Sequence, residues 1–298
     1  MKKLEKFTCF FNFRGILSYS VEICMYHLVN RNGDMQMTLR VMETAEINTL
    51  KSRLGSIQAL DGNPMKVQTI TRGSIHAFLA KNIPGPAFNT IRGINEEDLL
   101  HLDELFTHYE DQGISFRVEV TPLNGTEKVF RKLSEKGFYQ SGFHCSFLGE
   151  ANDVVIKEST DEIGIKRLEM DEFTLFADIY IRSFGLPAFI KEGVRQNNEV
   201  LYDVPGWEFY LASYRGEPAG ISALYIEDDV ATLSTAATLP EYRGLGIQSA
   251  LIGKRIQSAK EKGATYIASE AAFGSGSHRN MLRAGLSLGY TKSLWTKL

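Results

Sequence analysis

Ten residues, Pro240-Glu241-Tyr242-Arg243-Gly244-Leu245-Gly246-Ile247-Gln248-Ser249, have the make-up of an anion-binding turn. They lie between a β-branched, alanine-rich stretch, Val230 to Thr238, and a helix-forming one, Ser249 to Lys262. A strand, a glycine-bearing turn and a helix start therefore follow without a break. Such a turn aims several backbone N–H groups into one concave space, with the positive end of a helix dipole behind them. A phosphate or pyrophosphate fits there. The plainer alternative is a turn that needs glycine only for positive φ or close packing.

Spacing removes two phosphate motifs. A Walker loop ends in Gly-Lys-Ser/Thr, and here Gly246 is followed by Ile247 and Gln248. A dinucleotide fingerprint needs a third glycine, and Ser249 stands in its place. Glu270, the acid after the next strand, is only loosely where that fingerprint wants one.

The segment resembles the acyl-CoA signature of the GNAT superfamily of N-acyltransferases, Arg/Gln-x-x-Gly-x-Gly/Ala, often preceded by Pro-Glu-Tyr. Arg243 and Gly246 fill the first two fixed positions, and Gln248 replaces the final small residue. The resemblance runs through the C-terminal half. It implies an α/β fold with a mixed, mostly antiparallel sheet flanked by helices. It also implies a splayed V between two central strands, with acetyl-CoA threaded through the opening as co-substrate and no metal. Backbone N–H groups of Gly244, Leu245, Gly246, Ile247, Gln248 and Ser249 would cradle the pyrophosphate. Ala237 and Thr238 would pair with the pantetheine arm as if it were an added strand, since a strand parting from its neighbour leaves groups needing partners. Lys254 and Arg255 either approach the phosphates or are simply solvated helix charges.

A second cluster, Gly274-Ser275-Gly276-Ser277-His278-Arg279-Asn280 with Arg283, Gly285 and Tyr290, resembles the last helix and strand of one GNAT subgroup. There Asn280 is the candidate for the pantetheine contact. The family's usual proton-donating Tyr position falls on Met281 or Ser287, so the candidate catalytic set is Glu270, Tyr290 and Asn280. Glu270, ending the strand beside the V, would accept the amine proton through water; the alternative is a surface or capping glutamate. Ser275 or Ser277 is a capping residue in the plain reading, and His278 a surface histidine. The acceptor pocket is expected around Phe184-Gly185-Leu186-Pro187 and from Asn197 to Trp207, with Tyr202, Trp207 and Tyr225 as walls and Asp203 for a cationic amine.

The elements that must position these groups occur twice. In the first half, Ala45 to Gln58 is expected as a helix, Lys66–Ile70 and Ile75–Leu79 as a hairpin, then strand, helix, strand and helix up to Gly137. In the second, Ile163–Leu168 is a strand, Asp171–Phe184 a helix, and Phe209–Tyr214 with Ala219–Ile226 a hairpin. Strand, helix, strand, helix and strand then run from Ala231 to Trp295. Gly113 and Gly263, each ending a helix before a strand, stand 150 residues apart. This rhyme predicts two tandem domains, 37–150 and 151–298. The first has only Gly93 at the turn position, followed by Glu96 and Glu97, which would repel pyrophosphate. CoA is therefore assigned to the second half alone, and the first reads as a degenerate copy.

Composition sets the outer bounds. The 298 residues are 43% hydrophobic with net charge −3, so no basic surplus points to nucleic acid. Cys9, Cys24 and Cys145 are too widely spaced for a disulfide framework or zinc site, which favours a reducing cytoplasm. No membrane partner is expected; the acceptor is a small-molecule or peptide amine, and a homodimer is one option for assembly. Residues 1–36 are expected to be a non-native or disordered extension, because domain-like sequence begins near Met37 and the codons of Gly33-Asp34 can read as a ribosome-binding sequence. The competing reading of the whole chain is a non-catalytic acyl-CoA sensor or scaffold.

Overall fold

A helix, α1 (Met35–Gln58), leads into five strands and two helices: β1 (Val67–Arg72), β2 (Ile75–Ala80), β3 (Thr90–Arg92), α2 (Leu102–Asp111), β4 (Arg117–Val120), α3 (Glu127–Glu135) and β5 (Phe138–Glu150). The computed structural model describes residues 35–154 and 160–297. Residues 1–34 of the expected N-terminal extension lie outside the described residues, and its last two, Met35 and Gln36, begin α1. The second half runs β6 (Ile163–Arg167), α4 (Phe173–Phe184), α5 (Lys191–Glu199), β7 (Trp207–Tyr214), β8 (Glu217–Glu227), β9 (Val230–Thr238), α6 (Ile247–Glu261), β10 (Tyr266–Ala272), α7 (Gly276–Arg283) and β11 (Ser287–Lys297).

The eleven strands of the described residues form one sheet, in the order β1-β2-β3-β4-β11-β5-β10-β9-β8-β7-β6. The topology repeats as the sequence rhyme predicts. In each half a helix crossover joins two parallel strands, β3–α2–β4 and β9–α6–β10, and a second helix leads to a last strand. Those last strands change places. The first half's β5 lies beside β10, and the second half's β11 lies beside β4. The expected boundary at residue 150 is thus a division of the chain; the sheet runs straight across it.

Helices cover both faces. Leu224, Ala231, Leu233 and Ile267 turn towards α6, which buries Ile247, Leu251, Ile252 and Ile256 on them. On the opposite face Phe173, Phe176 and Ile179 of α4 pack on Phe209, Leu211, Ile221 and Ala237. Met42 of α1 meets Leu148, Ala268 and Tyr290 on that same face. Burial of these side chains, about 1.5–3 kcal/mol each, is the main term holding the layers together.

α1 starts ten residues before the expected Ala45, since Leu39, Val41 and Met42 continue its pattern without a breaker. α5 was not expected. Its nine residues bury only Asn198, and Arg195 pairs with Glu192 and Glu199 along it.

A buried ion cluster sits under α1 where the halves meet. Lys292 Nζ, on β11, lies 2.8 Å from Glu46 Oε2 and 2.7 Å from Glu119 Oε2, and also pairs with Glu270. Burial and the neighbouring Glu270 charge push the Glu46 carboxyl up to about 8. The folded state therefore holds this proton more tightly than the unfolded chain, whose value is the ordinary 4.5. Stability falls as pH rises through that interval. Glu46→Gln is expected to flatten the fall in urea midpoint between about pH 5 and 8; an unchanged slope would mean that Glu46 is ionised throughout.

Candidate active site

The two parallel strands of the second half part company. β9 and β10 pair from Val230↔Tyr266 to Leu233↔Ser269 and no further. Beyond that point β9 stays paired to β8 as far as Thr238↔Gly220, and β10 to β5 as far as Ala272↔His144. The sheet therefore splits between them, leaving one edge of Ser234–Thr238 open among the described residues. A bulge between Leu233 and Ala236 helps, since the register with β8 slips there. It also exchanges faces: Leu233 packs under α6, but Ala237 packs under α4.

The turn after β9 is built as the sequence suggests. Gly244 and Gly246 have φ of 80° and 88°, a region other residues reach only with strain. Gly246 caps α6, and no side chain bonds the helix's first N–H groups. These donors and the helix dipole face a cleft of about 610 Å³. Ala237, Thr238, Arg243, Gly244, Gly246, Ile247, Gln248, Ser249 and Asn280 all line it. Leu245, between them, is exposed and is not part of the lining. Gln248 sits inside α6, where a helical residue needs no glycine, and its Oε1 lies 3.5 Å from Thr238 Oγ1 across the cleft.

Three arginines, Arg243, Arg279 and Arg283, line this cleft, with no acid among the described lining residues. In a chain of net charge −3 that is a local excess of positive charge. Arg243 also braces the site: its Nη2 donates to Ser183 O at the end of α4 (2.6 Å) and its Nε to Thr238 O (3.4 Å). Arg255 is elsewhere, fully buried with Nη1 donating to Ala223 O, so it is not a phosphate ligand. Ser275 is the cap of α7, accepting from His278 N at 3.1 Å, while Ser277 faces the cleft.

Because Ser183 and Phe184 line the same cleft, it reaches from the α6–α7 face through the split to the α4 face. Phe184, Leu186 and Phe189 are exposed beside it. The other expected acceptor walls are core. Trp207 stacks near Tyr225 at 4.8 Å, donates to Ser52 Oγ and carries the Arg53 guanidinium over its ring. Tyr202 packs edge-on against Phe173.

The three catalytic candidates are not brought together. Asn280 is in the cleft, its Oδ1 accepting from Arg283 at 3.2 Å. Tyr290 is buried under α1 with Met42 and Leu148, and burial first, then Glu46, raises its hydroxyl well above 10. It does not line the cleft. Glu270 stands one residue past the last parallel pair, at the apex of the split, with its side chain 24% exposed. Burial alone would raise its carboxyl, but Arg92 and Lys292 outweigh that and hold it well below the usual range. It is a fixed anion and a weak proton acceptor. The sequence reading missed His144, whose Nδ1 lies 3.9 Å from Glu270 Oε1. Nothing in the chain order marks it, because it arrives on the exchanged strand β5.

The first half has the same split in closed form. β3 and β4 pair only at Thr90↔Arg117 and Ile91↔Val118. The next residues, Arg92 and Glu119, are buried and ion-paired at 3.3 Å, and Arg117 adds a second pair at 2.6 Å. Where β9 offers Ser234, β3 fills the gap with an arginine. At the turn beyond, the Asp98 carboxylate accepts from Ser74 N, an anion already in place. Glu96 is paired with Lys128.

No group of three or more His, Cys, Asp or Glu among the described residues is placed to hold a metal. No helix among them is long and apolar enough to cross a membrane.

Residues 173–283, from α4 to the end of α7, match the Acetyltransferase (GNAT) family. Similar solved structures include a GCN5-related N-acetyltransferase from Kribbella flavida, at TM-score 0.62 and 14% identity, covering 83% of this chain and 95% of that one. A functionally unknown conserved protein from Staphylococcus epidermidis aligns at TM-score 0.59 and 17% identity, covering 82% and 98%. A tandem GNAT protein from the clavulanic acid biosynthesis pathway aligns at 0.56 and 11%, covering 84% and 94%. At such identities the likeness is one of fold. No curated protein matches the sequence. Residues 173–283 thus match a GNAT acetyltransferase domain, and the chain shares the fold of these solved GNAT structures.

Proposed function

We propose that the chain is an N-acetyltransferase that moves an acetyl group from acetyl-CoA to an amine by direct attack, with the second half as the active domain and the first as a degenerate tandem copy. One observation carries the reading: an arginine-lined cleft at an uncapped helix start leads into the only open strand split among the described residues.

The chain's residues divide the task. N–H groups from Gly246 to Ser249, with Arg279 and Arg283, bind the phosphates. The open edge of Ser234–Thr238 holds the pantetheine amides, with Asn280 across the cleft. A backbone N–H on that edge stabilises the oxyanion as the amine adds. Covalent relay is disfavoured because Cys145, the cysteine among the described residues, is buried beside Thr291. The site fits a cytoplasmic enzyme whose acceptor enters past Phe184.

Thiol release from acetyl-CoA with a polyamine, an amino sugar and a lysine peptide tests the enzyme. Release above background with at least one is expected. CoA binding without release for any amine would favour the sensor reading. No CoA binding at millimolar concentration by calorimetry would remove both.

A further inference from the structure

We propose that His144, on the strand donated by the first half, is the general base of the acyl transfer, with Glu270 as the carboxylate that orients it. This rests on the acetyltransferase reading above and adds a residue that the matched segment, 173–283, does not contain.

Glu119 and Glu270 are equivalent: each follows the last parallel pair of its half. Each is approached by a residue of the strand received in exchange. For Glu119 that residue is Lys292 of β11, and for Glu270 it is His144 of β5. These two are themselves direct partners across the β5–β11 ladder. The two apices are built alike and finished differently. The first half holds a lysine–glutamate pair sealed from solvent, with both side chains 1% exposed. The second holds an imidazole 3.9 Å from a carboxylate, 23% and 24% exposed, with Glu270 one residue past the last β9–β10 pair and both side chains just outside the residues that line the cleft.

Orientation agrees with the role. His144 Nδ1 is enclosed, has no hydrogen-bond partner and lies 3.9 Å from Glu270 Oε1, so the ring's accessible surface lies away from that nitrogen. Glu270 is anchored by Lys292 and by Arg92 at 3.6 Å, so it cannot swing away. Glu46 of α1 and Glu119 of β4 complete the charged surroundings, both held on Lys292. His144 and Glu270 share a sheet face with α1, opposite α6. The acceptor side of the split is therefore the side they occupy. Imidazole is the side chain suited to take a proton near neutral pH, and a carboxylate at its other nitrogen fixes tautomer and direction.

The step balances without another reactant. The amine lone pair forms the N–C bond at the thioester carbonyl, and the nitrogen's proton passes to His144 Nε2. The C–S bond breaks with its electron pair on sulfur, and the thiolate takes one proton, returned from the imidazolium through water.

The test is kcat for thiol release from about pH 5 to 9 with the three amines above, alongside CoA affinity by calorimetry. His144→Gln is expected to lower kcat by about 100- to 10,000-fold, to leave CoA affinity within about twofold, and to abolish the acid limb of the profile. Glu270→Gln should cost less, with part of the loss recovered in Glu270→Asp. Parent-like kcat and pH profile in an active His144→Gln enzyme would overturn the assignment alone. A parent that acetylates none of the amines overturns the acetyltransferase reading first. If a variant also loses CoA binding, the parent's profile decides: kcat without an acid limb between about pH 5 and 8 sinks the proposal.

Discussion

Lys292→Met is expected to lower the unfolding free energy by about 3–5 kcal/mol, read as a fall in the urea midpoint at neutral pH. Lys292 is 1% exposed and holds carboxylates from three elements, Glu46 on α1, Glu119 on β4 and Glu270 on β10. Burial alone would make its amine easier to deprotonate; the three carboxylates outweigh the burial and raise its pKa. Methionine keeps the length and removes the charge. Arg92 and Arg117 then remain for Glu119, but Glu270 keeps only Arg92 and His144. Removing one partner of a buried cluster strands the others, whereas neutralising the whole cluster is often tolerated. Lys292→Met combined with Glu46→Gln and Glu270→Gln, which leaves Glu119 paired with Arg92 and Arg117, should therefore recover much of the midpoint. A single-variant loss under about 1 kcal/mol would show that the amine contributes no more than a surface pair.

How much of this was legible in the sequence depends on the range of the interaction. The glycine turn was, because its signal is local: Gly244 and Gly246 are needed for positive φ, and Arg243 follows a strand end closely. The repeat was legible too, since Gly113 and Gly263 close equivalent helices before equivalent strands. The exchange of β5 and β11 was not. A strand carries its own hydrophobic alternation and no mark of which neighbour it will meet. β5 blurs even that alternation, being largely exposed from Tyr139 to His144 and buried from Cys145 to Leu148. His144 was invisible for the same reason, 126 residues from the carboxylate it faces. Trp207 and Tyr225 failed in the other direction: aromatic residues near an expected pocket were read as walls, and α1 had already covered them.

The first half shows how small a change closes such a split. Arg92 stands where β9 has Ser234, and its guanidinium pairs with the apex glutamate that both halves keep. The split survives in the backbone register and is lost in the side chains. The first half also builds the second, because its β5 completes the sheet beside β10 and its Arg92 anchors Glu270.

Charge reversal at the cleft should separate binding from folding. Arg279→Glu with Arg283→Glu is expected to weaken CoA binding by about 100-fold or more, since each charge-assisted contact to phosphate contributes about 1.5–3 kcal/mol. Both side chains are exposed on α7, and their bonds inside the protein are single contacts, to Gly274 O and Asn280 Oδ1. Exposed substitutions of this kind usually move stability by about 0.5 kcal/mol or less, so the unfolding midpoint should hold. Salt provides an internal check. Parent affinity should fall as ionic strength rises, and the reversed variant should lose that dependence because attraction to phosphate is what salt screens. Comparing CoA with dephospho-CoA then assigns the arginines: a variant defect that disappears with dephospho-CoA places them at the 3′-phosphate, and one that persists places them at the pyrophosphate beside α6. Unchanged CoA affinity in the reversed variant would mean that phosphate is held by the helix start alone, and that the arginine lining is not what makes this cleft a CoA site.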